Sequence, residues 1–142
     1  MTLIKSISGI RGTIGGTVGE NLTPIDAAKF AAAYGNWLKK KYPGQRITVV
    51  IGRDARPSGN MIQSIVQNTL VGTGVDVVDL ALSTTPTVEM AVVFEKAQGG
   101  VILTASHNPV QWNALKLLND RGEFISGEDG QELLAMIERE DY

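Results

Sequence analysis

The sequence predicts an α/β domain in three layers: helices on both faces of a mixed, mostly parallel sheet, with a hairpin at one edge of it. Three observations predict this. β-Branched, apolar runs at residues 47–51, 75–82 and 101–104 alternate with amphipathic stretches of helix length. Threonine-proline pairs open two of those stretches and a glycine pair closes another, which is how helices start and stop. The 142 residues make one domain by a prior of about 150 residues per domain, so 1–142 is read as a single unit.

In chain order, a short strand near Ile4 to Ser8 runs into a glycine-punctuated loop holding Gly9, Gly12, Gly15, Gly16 and Gly19, with Arg11 inside it. Thr23-Pro24 then caps a helix whose inward face is expected to carry Ile25, Ala28, Ala32, Gly35 and Leu38. Lys39, Lys40 and Lys41 suit the negative end of that helix dipole. Residues 47–51 form a buried strand, and a second helix over about 58–71 turns Ile62, Ile65, Val66 and Leu70 inward before stopping at Gly72-Thr73-Gly74. A strand over 75–82 follows. Thr85-Pro86 caps a third helix, which ends before Gly99-Gly100, and residues 101–104 form the third buried strand. Ala114 to Leu118, a turn at 119–122 and Glu123 to Ile125 read as a hairpin at the sheet edge. Ser126 with Asp129 opens a last helix with Leu133, Leu134 and Ile137 inward. The chain ends soon after it with no stop signal, which predicts a fragment cut at a domain boundary.

Composition removes several chemistries. With no cysteine there is no disulfide scaffold, thiolate zinc site or cysteine nucleophile. A single histidine excludes a multi-histidine metal site and leaves oxygen ligands for a hard cation. Thirteen Lys and Arg against fifteen Asp and Glu give a net charge of −2, so no bulk field holds nucleic acid. No apolar run approaches the roughly 18 residues of a membrane span and no signal-peptide layout opens the chain, so a soluble, cytoplasmic protein is expected.

In a mostly parallel sheet, ligands collect beyond the carboxyl ends of the strands, which selects the loops 52–59, 82–86 and 104–112. Thr104-Ala105-Ser106-His107-Asn108-Pro109 is the richest of them. Serine offers a hydroxyl, His107 an imidazole N–H donor, and Asn108-Pro109 a cap for a helix turn whose N–H groups face an anion. The combination suits a phosphorylated serine. A polar turn would use the same residue types. A Ser-His hydrolase is disfavoured because the Gly-x-Ser-x-Gly elbow is missing, and neither nucleotide-binding glycine fingerprint is complete. In Gly52-Arg53-Asp54-Ala55-Arg56, two forked cations flank one carboxylate, either to brace loops or to contact phosphate. Arg11 among small neighbours is open to a large anion, and Lys116, ten residues after Ser106, reads as a gatekeeper on an edge strand.

Taken together and in order, Ser8-Gly9-Ile10-Arg11-Gly12, Gly52-Arg53-Asp54-Ala55-Arg56 with Ser58-Gly59, and Thr104-Ala105-Ser106-His107-Asn108-Pro109 resemble the α-D-phosphohexomutase family, which includes phosphoglucomutase, phosphomannomutase and phosphoglucosamine mutase. Asn113-Ala114-Leu115-Lys116 falls where that family usually shows Asn-Gly-x-Lys, with alanine in place of glycine. The whole chain resembles the first of the family's four domains. The resemblance implies a reversible shift of a phosphoryl group between the C1 and C6 oxygens of a hexose through a bisphosphorylated sugar. Ser106 would be the phosphoserine, with Arg11 and Lys116 balancing charge, Lys116 a candidate for proton transfer, and His107 and Asn108 shaping the loop. It also implies Mg2+, held partly through the phosphate on Ser106, and a hexose 1,6-bisphosphate as activator. The family's Asp-Gly-Asp-Gly-Asp-Arg metal loop belongs to a second domain and is absent here, so the remaining domains are implied as partners, substrate choice rests with them, and residues 1–142 alone are expected to be inert. The rival expectation is a stand-alone module that binds sugar phosphate without turnover.

Overall fold

The computed structural model describes all of residues 1–142, and it places ten elements in the predicted rhythm. They are β1 (Ile4–Ser6), β2 (Gly9–Thr13), α1 (Pro24–Lys41), β3 (Thr48–Arg53), α2 (Gly59–Gly72), β4 (Asp76–Leu82), α3 (Thr85–Phe94), β5 (Gly99–Leu103), β6 (Trp112–Leu118) and α4 (Gly127–Glu138). The six strands form one mixed sheet in the order β1-β2-β6-β5-β3-β4. β5, β3 and β4 run parallel, joined by α2 and α3, while β6, β2 and β1 continue the sheet antiparallel. No helix is long and apolar enough to cross a membrane.

Strand alternation sorts the core into two layers of unequal size. Val49, Ile51, Val101, Leu103, Leu115 and Leu117 face α1, α2 and α4 in a cluster of 24 buried residues. Val50, Ile102 and Leu118 face α3 in a cluster of only 6. α3 packs on β3 and β5, so that layer is thin and narrow. Gly99 and Gly100, expected to lie in the turn after the third helix, instead begin β5. A Cβ on Gly100 would come within 2.7 Å of Val92, and one on Gly99 within 2.1 Å of the Tyr34 hydroxyl, so both helix layers approach the strand through missing side chains.

Caps explain most helix starts. The Thr23 side chain accepts from the Asp26 N–H, and the Asp26 carboxylate accepts in return from the Thr23 N–H, closing a capping box. Ser126 accepts from the Asp129 N–H. At α3 the cap is Thr84, one residue earlier than expected, with Pro86 in the first turn. The buried stripe of α1 agrees with the expected one at Gly35 and Leu38 and differs elsewhere: Ala27, Phe30, Ala31 and Tyr34 are buried, whereas Ile25 is 52% exposed. The aromatic pair Tyr34 and Trp37 sets the rotation, because a large ring gains more from burial than the alanines on the expected face.

One correction moves the site. Residues 114–118 do not form an edge hairpin with 123–125. β6 lies between β2 and β5, and Phe124 meets Leu118 only through an isolated bridge. The edge hairpin is made by β1 and β2. Arg11 is therefore on a strand rather than in a loop, and Lys116 is on an interior strand rather than guarding an edge.

Candidate active site

β5 ends at Leu103 against the backbone of β3, and the chain must return antiparallel as β6, with Leu103 opposite Leu115 and Ile102 opposite Lys116. The return loop folds back over the strand it precedes. This lays Ser106 above Lys116, whose Nζ donates to the Ser106 Oγ at 2.6 Å. On the other side of β6, Gly9 pairs with Lys116 and Arg11 with Ala114. Paired residues share a face, so Arg11 and Lys116 are diagonal neighbours on one surface of the sheet. Gly9 lets β2 approach β6 closely here, since a Cβ on it would sit 1.8 Å from the Leu115 carbonyl oxygen. A shallow pocket lined by Ser6, Ser8, Gly9, Arg11 and Lys116 occupies this surface.

Ser106 is exposed and has φ +52, the left-handed region, which costs about 1–3 kcal/mol for a residue with a side chain. Its surroundings hold it there. The Ser106 N–H donates to the Thr104 Oγ1 at 3.2 Å, and Thr104 Oγ1 donates to Asp54 Oδ2 at 2.6 Å. The Asn108 N–H closes a turn on the Ala105 carbonyl at 3.0 Å, and the Trp112 N–H another on Pro109 at 2.9 Å. No helix begins at Asn108-Pro109, contrary to expectation. Pro109 instead leads through a turn into β6.

Arg56 spans the loop from below. Its Nη1 donates to the carbonyls of Pro109 (2.7 Å) and Trp112 (3.0 Å), its Nη2 to those of Ser106 and Asn108 (both 2.9 Å), and its Nε to Asp54 at 3.3 Å. A guanidinium has five N–H donors, and all five are engaged. Of the two roles open to the Arg-Asp-Arg cluster, Arg56 and Asp54 therefore brace. Arg53 turns the other way, toward α2, donating through Nε to Gln63 at 2.7 Å. His107 is exposed and makes no hydrogen bond, and Ala105 is buried beneath the loop.

Two contributors were not singled out for a role of their own from the sequence. Asn113 is fully buried and donates from Nδ2 to the Ser58 Oγ at 2.8 Å, tying the start of β6 to the start of α2. Its signal was its place three residues before Lys116. Gln63 joins Arg53 to Asp79, and a polar residue on the inward face of α2 was its signal. No group of three or more His, Cys, Asp or Glu side chains gathers to hold a metal ion. The chain's own side chains thus do not fit a magnesium site by themselves.

Residues 3–142 match the family model for phosphoglucomutase/phosphomannomutase, alpha/beta/alpha domain I. The chain belongs to that family. It is 41% identical over 113 residues to a phosphoglucomutase/phosphomannomutase of Thermococcus kodakarensis, covering 78% of this chain and 25% of the relative. A Vibrio cholerae phosphomannomutase is 31% identical over 130 residues, covering 91% and 28% respectively. The crystal structure of a phosphoglucomutase/phosphomannomutase family protein from Burkholderia thailandensis superposes with TM-score 0.82 at 28% identity, over 100% of this chain and 31% of that one. The chain spans about a quarter of the length of the curated relatives it matches.

Proposed function

We propose that this chain is the phosphoserine domain of a phosphohexomutase, in which Ser106 carries the phosphoryl group that is exchanged with a hexose phosphate. The observation that carries the reading is the contact of Lys116 with the Ser106 Oγ beside Arg11, on a loop that the fold presents to solvent. Phosphoryl transfer asks the protein chiefly for positioning and neutralisation of charge. When the phosphoryl group leaves Ser106, the P–O bond to Oγ breaks, a P–O bond to a sugar hydroxyl oxygen forms, and the proton that hydroxyl gives up is balanced by the one Oγ regains, so no net proton is consumed. Lys116 already donates to that oxygen and is the group placed to supply the proton. Arg11 faces the same space and adds positive charge where the phosphoryl oxygens would lie. The reverse transfer, from the other end of a hexose 1,6-bisphosphate, restores the phosphoserine.

The rest of the reaction needs groups outside these residues. Magnesium, if it serves here as the family resemblance implies, would find one oxygen donor in a phosphorylated Ser106 and its other ligands in remaining domains of the same enzyme. Those domains would also choose among glucose, mannose and glucosamine phosphates, and residues 1–142 alone should not turn over. The test is peptide mass mapping of Ser106 in the protein from its native source, before and after exposure to a hexose 1,6-bisphosphate with Mg2+. A phosphoryl group on Ser106, native or acquired, supports the reading. A bare Ser106 in both samples refutes it and leaves a module that binds sugar phosphate without turnover.

A further inference from the structure

We propose that Arg56 is a positioning residue for this phosphoryl transfer, acting by turning the His107 N–H toward the group carried on Ser106. The inference rests on the phosphoserine reading above. The Arg56 side chain is 11% exposed and its charge is met by Asp54, so it is not placed to bind substrate. What it does instead is draw four carbonyl oxygens, those of Ser106, Asn108, Pro109 and Trp112, to one side of the loop. A trans peptide is planar and its N–H points opposite to the carbonyl of the preceding residue. No peptide bond in the chain is cis.

Drawing in the Ser106 carbonyl therefore drives the His107 N–H out on the far side of the loop, and drawing in the Pro109 carbonyl does the same for Val110. Neither amide finds an acceptor in the protein. The His107 amide follows Ser106 directly in the chain, and the N–H of that exposed serine is itself already occupied by Thr104. Unpaired amides around a serine oxygen are the donors a phosphoryl group requires, since its oxygens accept several charge-assisted hydrogen bonds. Lys116 and Arg11 supply charge from the sheet, while the amides supply direction from the loop. A lysine at position 56 would keep the charge but has three donors on a rotating point, and cannot collect four carbonyls in one plane.

The experiment compares wild type with Arg56→Lys, each expressed at the protein's native length. The rate at which Ser106 acquires a phosphoryl group from hexose 1,6-bisphosphate is followed by intact mass, with the thermal midpoint recorded alongside. Misplacing the reacting group by about 1 Å costs on the order of 100-fold, so a loss near that size is expected while melting stays cooperative. The 31P resonance of the phosphoserine should shift as its amide donors are lost. If the variant does not fold, the wild type decides the matter: the His107 amide proton should move downfield on phosphorylation of Ser106, and a stationary His107 amide overturns the inference. So does an Arg56→Lys chain phosphorylated within threefold of the wild-type rate. A wild type that takes no phosphoryl group overturns the phosphoserine reading itself, a result distinct from either of these.

Discussion

Tyr34→Phe removes one oxygen from the centre of the fold, and its cost can be worked from the hydrogen bonds that oxygen makes. The Tyr34 hydroxyl donates to the Leu118 carbonyl at 2.7 Å and accepts from the Gly100 N–H at 3.1 Å. Gly100 and Leu118 face each other at the end of the β5–β6 ladder, so a side chain of α1 is spliced between two strands. The residue is fully buried, and burial pushes the hydroxyl's pKa well above its ordinary value. Phenylalanine keeps the ring and its stacking on Trp37, whose centroid lies 6.0 Å away, so packing is largely conserved. What is lost is partnership for one N–H and one C=O in an apolar surrounding, each costing about 1–3 kcal/mol when orphaned. A total of about 2–6 kcal/mol is expected, a substantial part of the 5–15 kcal/mol typical of a domain. With a urea m-value of about 2 kcal/mol/M, the unfolding midpoint should fall by about 1–3 M at unchanged m. A midpoint within about 0.3 M of wild type would refute the reasoning, because the strands would then have closed on each other without the hydroxyl.

Lys96 sits at the end of α3 with φ +53, where the Lys96 N–H bonds to Val93 and the Ala97 N–H to Val92, the two bonds of a Schellman motif. Lys96→Gly relieves the left-handed strain and should stabilise the chain by about 0.5–1 kcal/mol in urea unfolding, and a loss of stability would contradict it. Alkaline pH should weaken the fold. Burial raises the Tyr34 pKa, and burial with the Asp120 carboxylate pushes Tyr42 up to about 12 from an ordinary 10.0. The unfolded chain thus loses these protons first, so the stabilisation is complete below about pH 10 and declines as pH rises toward the folded values. Urea midpoints measured between about pH 8 and 11.5 should be level and then fall, and a level profile throughout would remove tyrosine linkage as a cause.

What was legible in the sequence is what short stretches of chain decide for themselves. Thr23, Ser126, the β-branched runs and the loop after Leu103 were read from neighbouring residues, because caps and alternation act within a few positions. The rotation of α1 was missed because Ile25 fits a helical stripe as well as Ala27 does, and only the seating of Tyr34 between β5 and β6 separates them. β6 was misplaced because its neighbour β2, Gly-Ile-Arg-Gly-Thr, has little strand propensity of its own. Its pairing comes from a partner about a hundred residues away. Arg56 was legible as a brace or a phosphate contact, but not as a clamp on four carbonyls, since those partners lie 50 to 56 positions further along.

The strand order gives the misplaced elements their meaning. Ser106 lies at the carboxyl end of the parallel half of the sheet, where helices cover both faces, and its charged neighbours come from the antiparallel half. There α3 no longer covers the surface, so a lysine and an arginine can face the same open space without a carboxylate between them. Two interior strands fix both cations by backbone pairing. An edge strand or a glycine loop would have left Lys116 and Arg11 free to drift, at the cost of the alignment that phosphoryl transfer depends on. Gly9 completes the arrangement: with φ +147 and no room for a Cβ, it lets β2 approach the Leu115 backbone closely and so holds Arg11 in register beside Lys116.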